Sequence, residues 1–202
     1  MGPCYQILLP RAWTDNDEKK LDEVIDAVSA EHTGRDCWVA DTRPVHGITV
    51  LTHGRSFIIG TSPFDLSDAM HPVVQAKFMA AFGFTPADIA VVICANCKDK
   101  VDHVILAELL AGVADLLDGI IPMQVLLPTR DLPQRLQRSV WVNKAAWSEC
   151  EPYQREMLAG MQGRLVTIPD YNDYWDCHWV SQYADAAFLR WWMTHPSFRM
   201  PG

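Results

Sequence analysis

The chain has 202 residues, 49% of them hydrophobic and 21% charged, with eight Trp, seven Phe and five Tyr, a composition that excludes disorder and buries a large core in one ordinary domain. Seventeen Lys and Arg stand against 25 Asp and Glu, a net charge of −8 with His neutral, so the overall field repels phosphate backbones and anionic lipid, and direct nucleic-acid binding is not expected. The apolar runs Ala87 to Ala95 and Val104 to Leu117 are interrupted by Asp88, Glu108 and Asp115 and fall short of the roughly 20 residues that cross a bilayer.

The opening MGPCYQILLP has neither the basic flank nor the small-residue cleavage site of a signal peptide. Cytoplasmic localisation is expected, and the six dispersed cysteines, at 4, 37, 94, 97, 150 and 177, read as reduced thiols rather than as the framework of a small secreted domain.

In chain order, Cys4 to Leu9 reads as a strand stopped by Pro10. Asp15-x-x-Glu18 reads as a capping box opening a helix whose Leu21, Val24, Ile25 and Val28 form one apolar stripe and which Gly34 ends. The Lys19, Lys20, Asp22, Glu23 and Asp26 side of that helix reads as solvated surface. Cys37 to Ala40, Gly47 to Thr52 and Ser56 to Gly60 are short β-type runs suggesting an antiparallel meander. Val73 to Phe82 is a helix closed by Gly83, and Ile89 to Cys94 is a central strand covered on both faces. A nearly all-round apolar helix opens at Asp102 and stops at Gly119, followed by a strand from Ile120 to Leu127. Arg130 to Arg138 and Pro152 to Met161 read as helices, Leu165 to Ile168 and His178 to Tyr183 as strands. Asp185 caps a last helix through Thr194, with Pro196 beyond it.

The fold class is therefore α+β (mixed α/β). Residues 1–202 form a single domain with a central mixed sheet flanked by helices and the C-terminal helix packed on the core; a weak sub-boundary is read near residues 62–72.

Three constellations bear on chemistry. Cys94-Ala-Asn-Cys97 has the spacing of a zinc or redox pair, but a structural zinc wants four ligands and no second pair follows. Asp102-His103 are adjacent at a helix start, where side chains diverge by about 100°. The Gly-x-Ser-x-Gly elbow, the P-loop and Gly-x-Gly-x-x-Gly are all missing from the sequence. No catalytic residue, cofactor or metal is expected. An enzyme or thiol–metal protein using Cys94, Cys97, Asp102 and His103 is the alternative, and an adaptor subunit of a larger assembly is another.

The most unusual segment is Pro169-Asp-Tyr-Asn-Asp-Tyr-Trp-Asp-Cys-His-Trp179, which interleaves carboxylates with aromatics. It reads as a surface loop entering a strand. Aromatics give contact area at low entropic cost, and carboxylates give charge-assisted bonds to Lys or Arg on a partner. Asp170, Tyr171, Asp173, Tyr174, Trp175 and Asp176 are accordingly the candidate partner-binding residues.

The C-terminal run Asp185-Ala-Ala-Phe-Leu-Arg-Trp-Trp-Met-Thr-His-Pro-Ser-Phe-Arg-Met200 resembles the ending of a family of uncharacterised bacterial proteins that close on a Phe-Leu-Arg-x-Trp helix and a His-Pro-x-Phe-Arg-Met phrase. Phe82-Gly-Phe-Thr-Pro86, Cys94, Asn96, Asp102-His103 and Leu106 are similar to that family's middle region, so the resemblance runs from about residue 78 to the end. Such proteins are encoded among polymorphic-toxin and secretion-system loci. The resemblance implies an immunity protein that binds and neutralises a cognate toxin. It carries no catalytic residues. The net charge of −8 and the 170–179 segment lead to the expectation of a basic toxin, occluded by contact, and the protein alone is expected to be a monomer or weak dimer. The phrase has its own physical account: Phe188, Leu189 and Trp192 are at helical spacing for a core stripe, and Phe198 folds back after Pro196.

Overall fold

In a computed structural model of the chain, residues 3–32, 37–40, 55–95, 100–123, 144–172 and 177–200 are described. Strand β1 (Cys4–Leu8) leads to helix α1 (Asp15–Val28), then to β2 (Ser29–His32), β3 (Cys37–Ala40) and β4 (Arg55–Pro63). The short α2 (Leu66–Ala69) and α3 (Pro72–Phe82) follow, then β5 (Ile89–Ala95), α4 (Lys100–Leu117) and β6 (Ile121–Met123). Helix α5 (Lys144–Met157), the pair β7 (Leu165–Asn172) and β8 (Cys177–Ala184), and α6 (Ala186–Thr194) complete the described elements.

Five strands form one sheet in the order β1-β5-β4-β3-β2, and three form another in the order β6-β8-β7. All of their pairings are antiparallel. The α+β class holds, with antiparallel sheets in place of the expected mixed one. Leu8 and Ile120 exchange backbone hydrogen bonds of 2.8 and 2.9 Å, an antiparallel bridge that joins the sheets through β1. Because β1 runs against both β5 and the bridge, β5 and β6 point the same way. The expected strand–helix–strand unit is thus present, split by β1.

Alternation along β1 sends Tyr5 and Ile7 to one core and Leu8 to another. The larger core lies between the five-stranded sheet and α1, α4 and α6, and includes Ile93, Leu106, Leu110, Phe188 and Trp192. The smaller one joins Leu8, Phe64, Phe78, Ala90, Ile168 and Tyr183. Phe64 and Met70 are buried, so packing continues through residues 62–72, where the sequence suggests a weak boundary. Helix α4 exposes little beyond Lys100, Gly112 and Asp115, in keeping with its nearly all-round apolar sequence. No helix among the described residues is long and apolar enough to cross a membrane.

Several boundaries move, each for a physical reason. Helix α1 stops at Val28, and Ser29–His32 turns into β2 against β3, so strand pairing ends that helix before Gly34. Ser62 and Pro63 close β4 opposite Ala90 and Ile89; a strand tolerates proline at its end, where no further ladder donor is needed. Helix α5 begins at Lys144 and carries Pro152 inside it, eight residues before the expected start at that proline. The second face of β5 is covered at Ala90 but only half covered at Val92 and Cys94, so its burial on both faces is partial. The expected runs Gly47 to Thr52, Arg130 to Arg138 and the end of Ile120 to Leu127 lie outside the described residues.

Candidate protein-binding cleft

Helix α1 is held at its N-terminus by a capping box one residue earlier than its sequence suggests. The Asp17 backbone N–H donates to Thr14 Oγ1 at 3.3 Å, and the Thr14 N–H donates back to Asp17 Oδ2 at 3.1 Å. Asp17 is buried, with 1% of its surface exposed, and its carboxylate is clamped by Arg11, whose Nη2 donates to Oδ1 at 2.7 Å and whose Nη1 donates to Oδ2. The Arg11 hydrogen bond holds the Asp17 carboxyl well below the usual carboxylate range. Burial opposes that shift, and the Thr14 hydroxyl reinforces it. The Arg11 guanidinium is thereby engaged, and the other carboxylates of α1 face solvent.

Those carboxylates are Asp15, Glu18, Asp22, Glu23 and Asp26, all exposed. Glu18, Leu21, Asp22 and Ile25 recur at i, i+3, i+4 and i+7, the spacing of one helix stripe, and this stripe faces Ile59, Gly60 and Thr61 of β4 across a cleft of about 260 Å³. Leu21, Ile25 and Ile59 are buried core residues beneath it, so the surface that the cleft offers is mainly polar. Glu18 and Asp22 make its rim acidic, and Glu18 Oε2 is held at 2.9 Å by the Trp13 indole N–H. A polar cleft with a carboxylate rim suits the cationic head of a Lys or Arg side chain. The sequence shows the amphipathic stripe but not the cleft, which exists only because β4 lies alongside.

The acidic-aromatic segment is less of a loop than its composition suggests. Asp170 and Tyr171 sit within β7, paired in register with Trp179 and His178 of β8. Asp173, Tyr174, Trp175 and Asp176 lie outside the described residues, between β7 and β8. The described parts of the segment are therefore the facing ends of β7 and β8, an antiparallel pair of the three-stranded sheet in which β7 is an edge strand.

The alternative site built on Cys94, Cys97, Asp102 and His103 is not assembled by the described residues. Cys94 forms a disulfide with Cys4, which corrects the expectation of reduced thiols for that pair. Cys97 lies outside the described residues. Asp102 is in the first turn of α4 and 3% exposed. His103 Nδ1 accepts the Met200 backbone N–H at 3.3 Å, so this ring helps to fasten the C-terminal tail. Phe198 and Met200 are buried beside Trp192 in the same core, and the Trp192 indole donates to the Arg199 carbonyl at 3.1 Å. The His-Pro-x-Phe-Arg-Met phrase is thus a folding device, as its spacing predicts.

One family model, described as a family of unknown function, matches residues 1–202, the full length given. The chain belongs to the DUF6368 family. No curated protein and no solved structure matches it. The DUF6368 match takes in β1, α1 and β4 as well as the C-terminal half, so the cleft lies within the region that defines the family, whereas the resemblance carried by the C-terminal phrase begins near residue 78.

Proposed function

We propose that this DUF6368 protein is a protein-binding protein of the immunity type, which neutralises a basic bacterial toxin by occluding it. The observation that carries this reading is the cleft between α1 and β4, whose Glu18–Asp22 rim suits the cationic head of a Lys or Arg side chain. The net charge of −8 supports it by steering a basic partner to the surface and repelling nucleic acid. Asp170, Tyr171, Asp173, Tyr174, Trp175 and Asp176 are a second candidate contact, read from their sequence, with carboxylates suited to the same cationic groups. Occlusion is a matter of covering a partner's basic surface, so it requires no catalytic group on this chain.

The experiment is co-expression with the product of the neighbouring gene, followed by co-purification and titration of purified components. Rescue of growth and a 1:1 complex are expected. Glu18→Lys with Asp22→Lys slows association about tenfold at low salt, as reversal of rim charges does, and leaves stability within about 0.5 kcal/mol because both sites are exposed. Asp173→Lys with Asp176→Lys is the matching test of that acidic-aromatic segment. If neither pair alters association, the interface is elsewhere; if no neighbouring toxin is rescued or bound, the immunity reading fails.

A further inference from the structure

Cys4 and Cys94 face each other across β1 and β5, 90 residues apart in sequence, with Cα atoms 4.1 Å apart. Their register explains why they meet. Ala95 donates its N–H to the Pro3 carbonyl, and Leu8 turns its N–H and C=O away from β5 toward Ile120. Hydrogen bonding between β1 and β5 thus falls at the odd-numbered residues, and Cys4–Cys94 is a non-hydrogen-bonded pair, where opposed side chains come closest. The two sulfurs differ in access. Cys4 is exposed at the start of β1, whereas Cys94 is half-buried on a strand flanked on both sides.

We propose that Cys4–Cys94 is a reversible thiol-exchange site at which a small thiol of the glutathione class forms its mixed disulfide on Cys4 and Cys94 serves as the resolving thiol. Exchange requires the attacking thiolate to approach along the S–S axis. An approach to Cys94 Sγ comes from over β4, where Ile58 occupies the register position paired with Cys94. An approach to Cys4 Sγ comes from beyond β1, which is bridged on that side only at Leu8–Ile120 among the described residues. The thiolate therefore bonds to Cys4 Sγ, the S–S bond breaks, and its electron pair leaves on Cys94 Sγ, which takes up a proton. A second glutathione then attacks the glutathione sulfur of the mixed disulfide and releases the Cys4 thiol and oxidised glutathione, for two electrons delivered in all. In reverse, Cys4 thiolate attacks one sulfur of oxidised glutathione, whose S–S bond breaks and releases one glutathione thiolate; Cys94 thiolate then attacks Cys4 Sγ of the mixed disulfide, closes the Cys4–Cys94 bond and expels the second glutathione thiolate. Cys150 is buried and offers no such access.

The test equilibrates the full chain in buffers spanning ratios of reduced to oxidised glutathione, with acid quench, alkylation and peptide mapping by mass spectrometry. The Cys4–Cys94 linked peptide is expected to dominate at the oxidising end and to fall below half at the reducing end while the circular dichroism of the fold persists. In oxidised glutathione, Cys94→Ser accumulates at least about tenfold more adduct on Cys4 than Cys4→Ser does on Cys94, since exchange follows access. A linkage that survives undiminished at the reducing end, a Cys94–Cys97 linkage in its place, or equal adduct on the two cysteines would each overturn the proposal. The wild-type titration stands whether or not either variant folds.

Discussion

Asp17 shows how much one side chain can be asked to do. It closes the capping box of α1, accepts both guanidinium donors of Arg11, and is almost fully buried. Removing its charge leaves a buried cap half satisfied, and Asp17→Asn is expected to lower stability by about 2 kcal/mol at neutral pH in urea titrations. Its folded-state pKa lies below the unfolded one, so the stabilisation is complete above the ordinary carboxylate range and fades as pH falls through the folded value. The gap between wild type and Asp17→Asn should therefore hold from pH 7 to about pH 5 and narrow below about pH 4. A gap that does not change with acidification would remove the ion pair from the account. Gly163 is the second such position, with φ of +76° and space for a Cβ only 2.1 Å from the Phe188 backbone nitrogen. Gly163→Ala should cost about 2–3 kcal/mol, from the left-handed backbone and the displaced first turn of α6 together.

Elements are joined here by a few specific fasteners. Asp185 ties the β7 entry to α6: its Oδ1 accepts the Phe188 N–H at 2.7 Å and its Oδ2 the Arg164 N–H at 3.0 Å. Asp185→Ala loses both and should cost about 1–2 kcal/mol; thermal unfolding with helix content followed at 222 nm checks it. The Cys4–Cys94 bond fastens β1 to β5 across a long loop. Its reduction should lower stability by about 2–4 kcal/mol, in the usual range for closing such a loop. Scans with and without dithiothreitol on wild type and Cys4→Ser measure it, and reductant should leave the variant unmoved.

At the scale of the whole molecule, charge and fold act together. Five exposed carboxylates on α1 add to a net charge of −8, so association with a basic partner should slow steeply as ionic strength rises while dissociation changes little. Stopped-flow mixing at two salt concentrations reads this directly. Salt-independent association would take electrostatic steering out of the proposed function.

Much of the fold was legible because it depends on local rules. The β1 strand, α3 with its Gly83 cap, α4 with its all-round apolar pattern, and α6 between Asp185 and Pro196 each carry their own start, stop and periodicity. Where local rules compete, the tertiary structure decided. Thr14 and Asp17 form the cap instead of Asp15 and Glu18, because Arg11 folds back onto a carboxylate the core has buried. Residues 29–32 leave α1 because β3 offers them a ladder. The candidate site divides in the same way. The acidic residues of α1 and of the segment 170–176 are visible in one dimension, whereas the cleft needs β4 laid beside Leu21 and Ile25, and the disulfide needs a register that brings position 4 opposite position 94. Composition and periodicity thus determine an acidic α+β domain with a large core. Which carboxylates line a cleft, and which cysteines meet each other, depends on contacts distant in sequence, and these follow only from how the strands pair.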